Sequence, residues 1–228
     1  MENTGMELSA AQTALLDAAL AHVVFDGWSE ACLRAAAADS GVAPGLVRVL
    51  FPRGAVDLAV AYHRRGDGQL RARLVESDLA AMRFRDKVTL AVRLRLEAAD
   101  RDVVRRGMAL FSLPQNMPAG AALVWGTADA IWTALGDNSN DVNWYTKRAT
   151  LSAVYSACVL YWLGDDSAGR ADTWAFLDRR IEDVMRFEKT KADFRASPLA
   201  KMLAGPLKLL DRIKAPAPGP ADLPGQKG

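Results

Sequence analysis

Six consecutive residues, Asn143-Trp144-Tyr145-Thr146-Lys147-Arg148, set two aromatic rings beside two cations. Trp and Tyr combine a large apolar area with a polar tip, and aromatics with Arg are the side chains enriched in interface hot spots. The chemistry that such a cluster can do is recognition: Trp144 and Tyr145 anchor a partner, while Lys147 and Arg148 meet acids on that partner or on lipid headgroups. From Ala149 to Gly164 the chain then carries no charge at all. A helix that is apolar all round needs neighbours on every side, or an internal cavity filled by an apolar ligand.

On a helix, Trp144, Arg148, Leu151, Tyr155, Cys158 and Trp162 fall on one face at spacings of three and four. A companion segment, AGAALVWGTADAIWTALGD, repeats the theme with Trp125, Asp129 and Trp132. Two facing aromatic stripes make either a packed core or the wall of a pocket, with Tyr155 and Cys158 as candidate wall residues. Asp129, inside an apolar helix, is the buried-acid candidate, with a structural hydrogen bond as the plainer reading.

The elements that must hold these residues are helical, since no convincing alternating pattern of a strand occurs. We expect an all-α fold with helices over 8–26, 29–40, 44–49 and 55–65, then 69–80, 84–98, 100–111, 119–135, 142–163 and 168–194. Ser29 is a plausible N-cap, and Gly66-Asp67-Gly68 is expected to part an N-terminal unit (8–65) from a helical domain (69–194). In SPLAKMLAGPLKLLDRIK, the residues Leu199, Met202, Leu203, Leu207, Leu210 and Ile213 share a face opposite Lys201 and Lys208. That pattern predicts an amphipathic helix over 197–214, either inserting in a membrane or packing on the body. The Pro/Gly-rich tail at 215–228 is expected to be disordered.

Composition narrows the function classes. The 228 residues are half apolar and one quarter charged, with a net charge of +2, so whole-molecule electrostatics gives no drive toward nucleic acid. Cys32 and Cys158 each sit in an apolar helical context and read as reduced core thiols. With His22 and His63 the only histidines, a His-based triad or a multi-His metal centre is very hard to build. No phosphate loop is present, and no apolar run reaches the roughly 20 residues that span a bilayer. The acidic start, MENTGMELSAAQT, has neither a signal core nor transit-peptide character, which predicts a cytoplasmic protein of a bacterium.

Residues 14–64 resemble the N-terminal domain of TetR-type transcription regulators. The opening helix, the Gly27-Trp28 turn, the Ala36-Ala37-Ala38-x-x-Gly41-Val42 corner and the Phe51-Pro52 turn carry the likeness. The recognition segment departs from it. Ala43-Pro44-Gly45-Leu46-Val47-Arg48-Val49-Leu50 has no hydroxyls, and residues 1–75 hold seven Arg and no Lys against eight acids. DNA affinity comes largely from neutralised phosphates, so this unit is not expected to read DNA.

A narrower likeness covers residues 14–191. WGTADAIWTALGDNSNDVNWYTKRATLSAVY, preceded by ALFSLPQNMPAGAALVW and followed by DTWAFLDRRIEDV, resembles the accessory protein family of ubiquinone biosynthesis, a lipid-binding offshoot of the TetR fold. The resemblance implies a homodimer with no catalytic residues, no metal site and no cofactor. Its hydrophobic pocket would bind an isoprenoid quinone precursor or a phospholipid, here against Trp125, Trp132, Leu151, Tyr155, Cys158 and Trp162. It also implies a partner, the di-iron demethoxyubiquinone hydroxylase, docking on Asp141, Asn143, Trp144, Tyr145, Lys147 and Arg148. The amphipathic segment (Leu199, Lys201, Met202, Leu203, Leu207, Lys208, Leu210, Ile213) would associate peripherally with the inner membrane. The alternative is a ligand-responsive TetR-type regulator.

Overall fold

The computed structural model describes residues 8–196 and 214–216, with side chains up to Arg186 in the last helix. Among the described residues every regular element is helical. The order is α1 (Ala10–Asp26), α2 (Glu30–Ser40), α3 (Pro44–Leu50), α4 (Ala55–Glu76), α5 (Phe84–Glu97), α6 (Arg101–Phe111), α7 (Met117–Ala134), α8 (Val142–Gly164) and α9 (Ala171–Ala196), with a short 3-10 turn, Ala168–Arg170, before the last.

Local chemistry explains most boundaries. Ser9 and Gln12 form a reciprocal capping box at the start of α1. Gly27 (φ 65°) closes that helix, in a backbone region that only glycine enters freely. Ser29 accepts from the Cys32 amide and starts α2, and Gly41 ends it in the left-handed conformation. Asp100 and Asp141 cap α6 and α8 through their carboxylates.

Two apolar clusters form the interior. The first gathers Leu15, Leu16 and Val23 of α1 with Trp28, Cys32, Phe51 and Leu58, and Val103 of α6 closes it. The second joins Leu70, Val92, Leu96, Ile131, Leu151, Tyr155, Cys158, Trp162 and Leu177 from α4, α5, α7, α8 and α9. Both cysteines are free and buried. Burial pushes the Cys32 thiol up to about 11 and the Cys158 thiol up to about 12, so neither offers a reactive thiolate.

The expected break at Gly66-Asp67-Gly68 does not occur. A single helix of 22 residues runs through it, about 33 Å long, with Leu58 in the first cluster and Leu70 in the second. Gly66 is there for space. The Arg95 guanidinium lies so close that a Cβ at this position would stand 2.7 Å from its Cζ. Arg95 Nε donates to Asp67 at 2.7 Å, and another of its nitrogens donates to the His63 carbonyl at 3.0 Å. The Thr127 hydroxyl donates to Asp67 at 2.9 Å and lies 2.8 Å from His63 Nε2. Burial, aided by Arg95 and opposed by Asp67, pushes the His63 imidazole down to about 4. Asp67 in this polar knot is 4% exposed, whereas the Asp129 side chain is 27% exposed.

The polar stretch between α8 and α9 is also a capping device. Asp165 accepts from the Thr173 amide and hydroxyl at 2.9 and 2.5 Å and from the Ser167 amide at 2.8 Å. Hydrogen bonds from Ser167 and Thr173 hold its carboxyl far below the usual range.

Candidate docking face and apolar groove

Helices α7 and α8 pack antiparallel, with Trp132 beside Lys147 and, further along, Ala121 across a groove from Ala153. Asp141 caps α8 through the Asn143 amide at 2.9 Å, and the Asn143 side chain donates to its other oxygen at 2.8 Å. This cap fixes the first turn of α8, in which Trp144 and Tyr145 are half-buried.

Trp144 stands at the centre of an aromatic cluster. Its ring meets Tyr145 edge to face at 4.8 Å and Trp125 of α7 at 5.9 Å, within the range in which aromatic pairs attract. Beneath it the Arg148 guanidinium lies 4.0 Å from the ring centroid, a cation–π contact. Arg148 itself is only 2% exposed. Its Nε donates to Asp129 at 2.6 Å and its other nitrogen to Asp137 at 3.0 Å and to the Trp144 carbonyl at 3.2 Å.

Asp137 anchors the second cation as well. Lys147 donates to Asp137 and to Ser139 at 2.7 Å each and sits 5.2 Å from the Trp132 ring. Trp132 returns a bond from its indole N–H to the Lys147 carbonyl at 3.1 Å. Burial pushes the Asp137 carboxyl up, but hydrogen bonds from Lys147, Ser139 and Arg148 outweigh it and bring the group down to about 2. Two carboxylates thus face two cations.

Both cations are paired within the chain. Arg148 is buried beneath Trp144, while the Lys147 side chain stays 38% exposed. Asp129 is correspondingly an ion-pair partner and not an isolated buried acid. Asp137 was legible only as a turn residue after Gly136; its role emerges when α7 and α8 come together.

The predicted lipid-contacting residues separate into two groups. Leu151, Tyr155, Cys158 and Trp162 turn inward and belong to the second apolar cluster. Trp132 stacks on Phe84 at 5.4 Å. Trp125 instead faces a concave surface: a groove of about 380 Å³ between α7 and α8, lined by Gly120, Ala121, Val124, Trp125, Ser152, Ala153 and Ser156. Its floor is made of small side chains. The groove is shallow and largely open to solvent.

In α3, the segment corresponding to a recognition helix, Leu46 and Val49 are exposed, the latter by 73%. Arg53 is taken up by Asp57 at 2.6 Å. Among the described residues no group of three or more His, Cys, Asp or Glu is placed to hold a metal ion, and no helix is long and apolar enough to cross a membrane. The amphipathic segment, Leu199 to Ile213, lies outside the described residues.

The architecture is that of the TetR regulators. A TetR transcriptional regulator from Nitrosomonas europaea superposes with a TM-score of 0.60 at 19% identity, over 76% of this chain and 97% of that one; a likeness at that identity speaks for the fold alone. The COQ9 family pattern matches residues 117–188, which span α7, α8 and much of α9. The mitochondrial ubiquinone biosynthesis protein COQ9 of Drosophila melanogaster is 33% identical over 204 residues, 82% of this chain and 61% of that protein. The human COQ9 protein is 28% identical over 195 residues, with the same coverage of each chain. The chain belongs to the COQ9 family of ubiquinone biosynthesis proteins. It spans about 61% of the length of those two curated relatives.

Proposed function

We propose that this chain is a non-catalytic accessory protein of ubiquinone biosynthesis. It holds an isoprenoid quinone precursor or a phospholipid in the α7–α8 groove and presents it to a di-iron hydroxylase docked on Trp144 and Tyr145. The observation that carries this reading is Trp125, whose ring is a wall of the groove and also packs against Trp144. An occupant of the groove therefore touches the ring that backs the docking residues, which couples filling the groove to the shape of the docking face.

The chemistry of the face suits a protein partner. Trp144 is held by Tyr145, Trp125 and Arg148, so little side-chain freedom remains to be lost on binding. An aromatic anchor in such a setting contributes about 2 kcal/mol or more. Asp141 and Asn143 form the polar rim.

The chain works at a membrane surface, peripherally, and in a bacterium at the cytoplasmic face of the inner membrane. Each large apolar side chain of the Leu199–Ile213 segment contributes about 1.5 to 3 kcal/mol when fully buried. Each cation near an anionic surface adds roughly 1 kcal/mol. Insertion of Leu199, Met202, Leu203, Leu207, Leu210 and Ile213 therefore outweighs attraction through Lys201 and Lys208. A homodimer forms on the outer face of α8 and α9, where Leu160, Tyr161 and Met185 are exposed and Tyr161 stacks on Phe176 at 4.6 Å.

Native mass spectrometry of the purified protein, followed by solvent extraction, tests the ligand. A quinone precursor or phospholipid near one per chain is expected; a protein free of any apolar ligand overturns the lipid role. Trp144→Lys is expected to abolish hydroxylase binding with the helical content intact, and retained binding removes the docking face. Salt-steep retention on specific DNA would replace the whole reading with that of a regulator.

A further inference from the structure

The chain returns to its own docking face beyond the amphipathic segment. The Ala215 N–H donates to the Asn140 carbonyl at 3.0 Å, and the Tyr145 hydroxyl donates to the Lys214 carbonyl at 3.3 Å. Asn140 and Tyr145 bracket Asp141, the residue that caps α8 and forms the rim of the face. Ala215 is half-buried in this contact, while Lys214 and Pro216 on either side are exposed.

Local chemistry favours this pose. A residue before proline is driven to extended backbone, so Pro216 presents the Ala215 N–H sideways, as a strand presents its edge. The Asn140 carbonyl, in the loop before α8, is the acceptor it meets. Tyr145 uses the polar tip of its ring on the same segment, so one docking aromatic already has a partner in the free chain.

We propose that Lys214–Pro216 is an autoinhibitory strap, which occupies the edge of the Trp144–Tyr145 face in the free protein and is displaced when the hydroxylase docks. The inference rests on the docking role assigned above. The strap scales the apparent affinity by the fraction of time it is open. Each hydrogen bond of ordinary net worth contributes about three- to tenfold to that factor.

The test uses the full chain. Amide exchange at Ala215, read by NMR, is expected to be about tenfold slower than in an unstructured peptide, with protection lost once the hydroxylase is bound. Ala215→Pro removes the donor and leaves every described helix untouched; it is expected to bind the hydroxylase about three- to tenfold tighter than the natural chain. Free-peptide exchange at Ala215 overturns the strap, as does an unchanged affinity of Ala215→Pro when Trp144→Lys has weakened binding. Should Trp144→Lys leave binding unchanged, the docking face itself fails. The strap's inhibitory role then falls with it, even if a protected Ala215 amide leaves the contact standing.

Discussion

The Arg148 guanidinium sits 4.0 Å below the Trp144 ring while its Nε donates to Asp129 at 2.6 Å. One buried cation thus joins the half-buried Trp144 of α8 to a carboxylate of α7, and Asp137 completes the pair from the loop between them. The orientation of Trp144 is set by Arg148 and the carboxylates that hold it.

Removing that cation should be costly. Arg148→Leu leaves Asp137 buried with Lys147 alone and Asp129 unpaired, and breaking a buried ion pair on one side costs about 3–5 kcal/mol. Urea denaturation followed by circular dichroism is expected to show a lower midpoint with an unchanged slope. An unshifted midpoint would mean that the network contributes nothing to the fold.

Acid should unfold the protein in two steps of stability loss. His63 is held down to about 4 against an ordinary 6.5, so the unfolded chain binds the extra proton first. Its contribution is complete above about pH 6.5 and is lost as pH falls toward 4, in all roughly 3 kcal/mol. Asp137, down to about 2 from 3.8, contributes above the unfolded value and is lost between about pH 4 and 2, roughly 2 kcal/mol. His63→Gln should flatten the upper window alone and Asp137→Asn the lower one. Stability measured by urea titration across the pH range checks both.

Filling the groove should expel its occupant without harming the fold. Ala121 and Ala153 are exposed on the two helices that form it, so Ala121→Phe with Ala153→Phe adds bulk where no core neighbour is displaced. Lipid per chain after solvent extraction is expected to fall about tenfold, the equivalent of 1.4 kcal/mol. The thermal midpoint should stay where it was. Undiminished lipid would place the ligand elsewhere.

The outer face of α8 and α9 predicts the oligomeric state. Leu160→Arg with Met185→Glu puts charge into an apolar patch that a second copy is expected to cover. Sedimentation should move from dimer to monomer with helicity retained. A dimer that survives both changes uses another surface.

Much of this architecture can be read from short-range chemistry. Ser29, Gly41, Asp141 and the prolines mark ends that the structure reproduces within a few residues, because caps act through neighbours three or four positions away. Gly66-Asp67-Gly68 misleads for the opposite reason. Its glycine signals a turn locally, whereas its cause is Arg95, 29 positions on, which requires a residue without a side chain on the helix it packs against.

The groove opens on a different face of α8 from the stripe of Leu151, Tyr155, Cys158 and Trp162. A helix that is uncharged from Ala149 to Gly164 offers no polar stripe from which to decide which face turns inward. The bulky face of Tyr155, Cys158 and Trp162 fills the interior, and the small residues Ser152, Ala153 and Ser156 leave the hollow. Large side chains fill space; small ones make it. Trp125, identified from the aromatic stripe, is the one of the six expected contacts that lines the hollow.

The mutual cancellation of Asp129, Asp137, Lys147 and Arg148 has a kinetic consequence. With those four charges paired, the charge remaining on this face is the Asp141 carboxylate at its rim, so the field that steers a partner toward it is weak. Encounters at the face run at the ordinary unsteered rate, about 10⁵–10⁶ per molar per second, and change little with ionic strength. Selectivity then resides in how long the complex lasts, and concentrating both proteins on one two-dimensional surface becomes the route to frequent meetings.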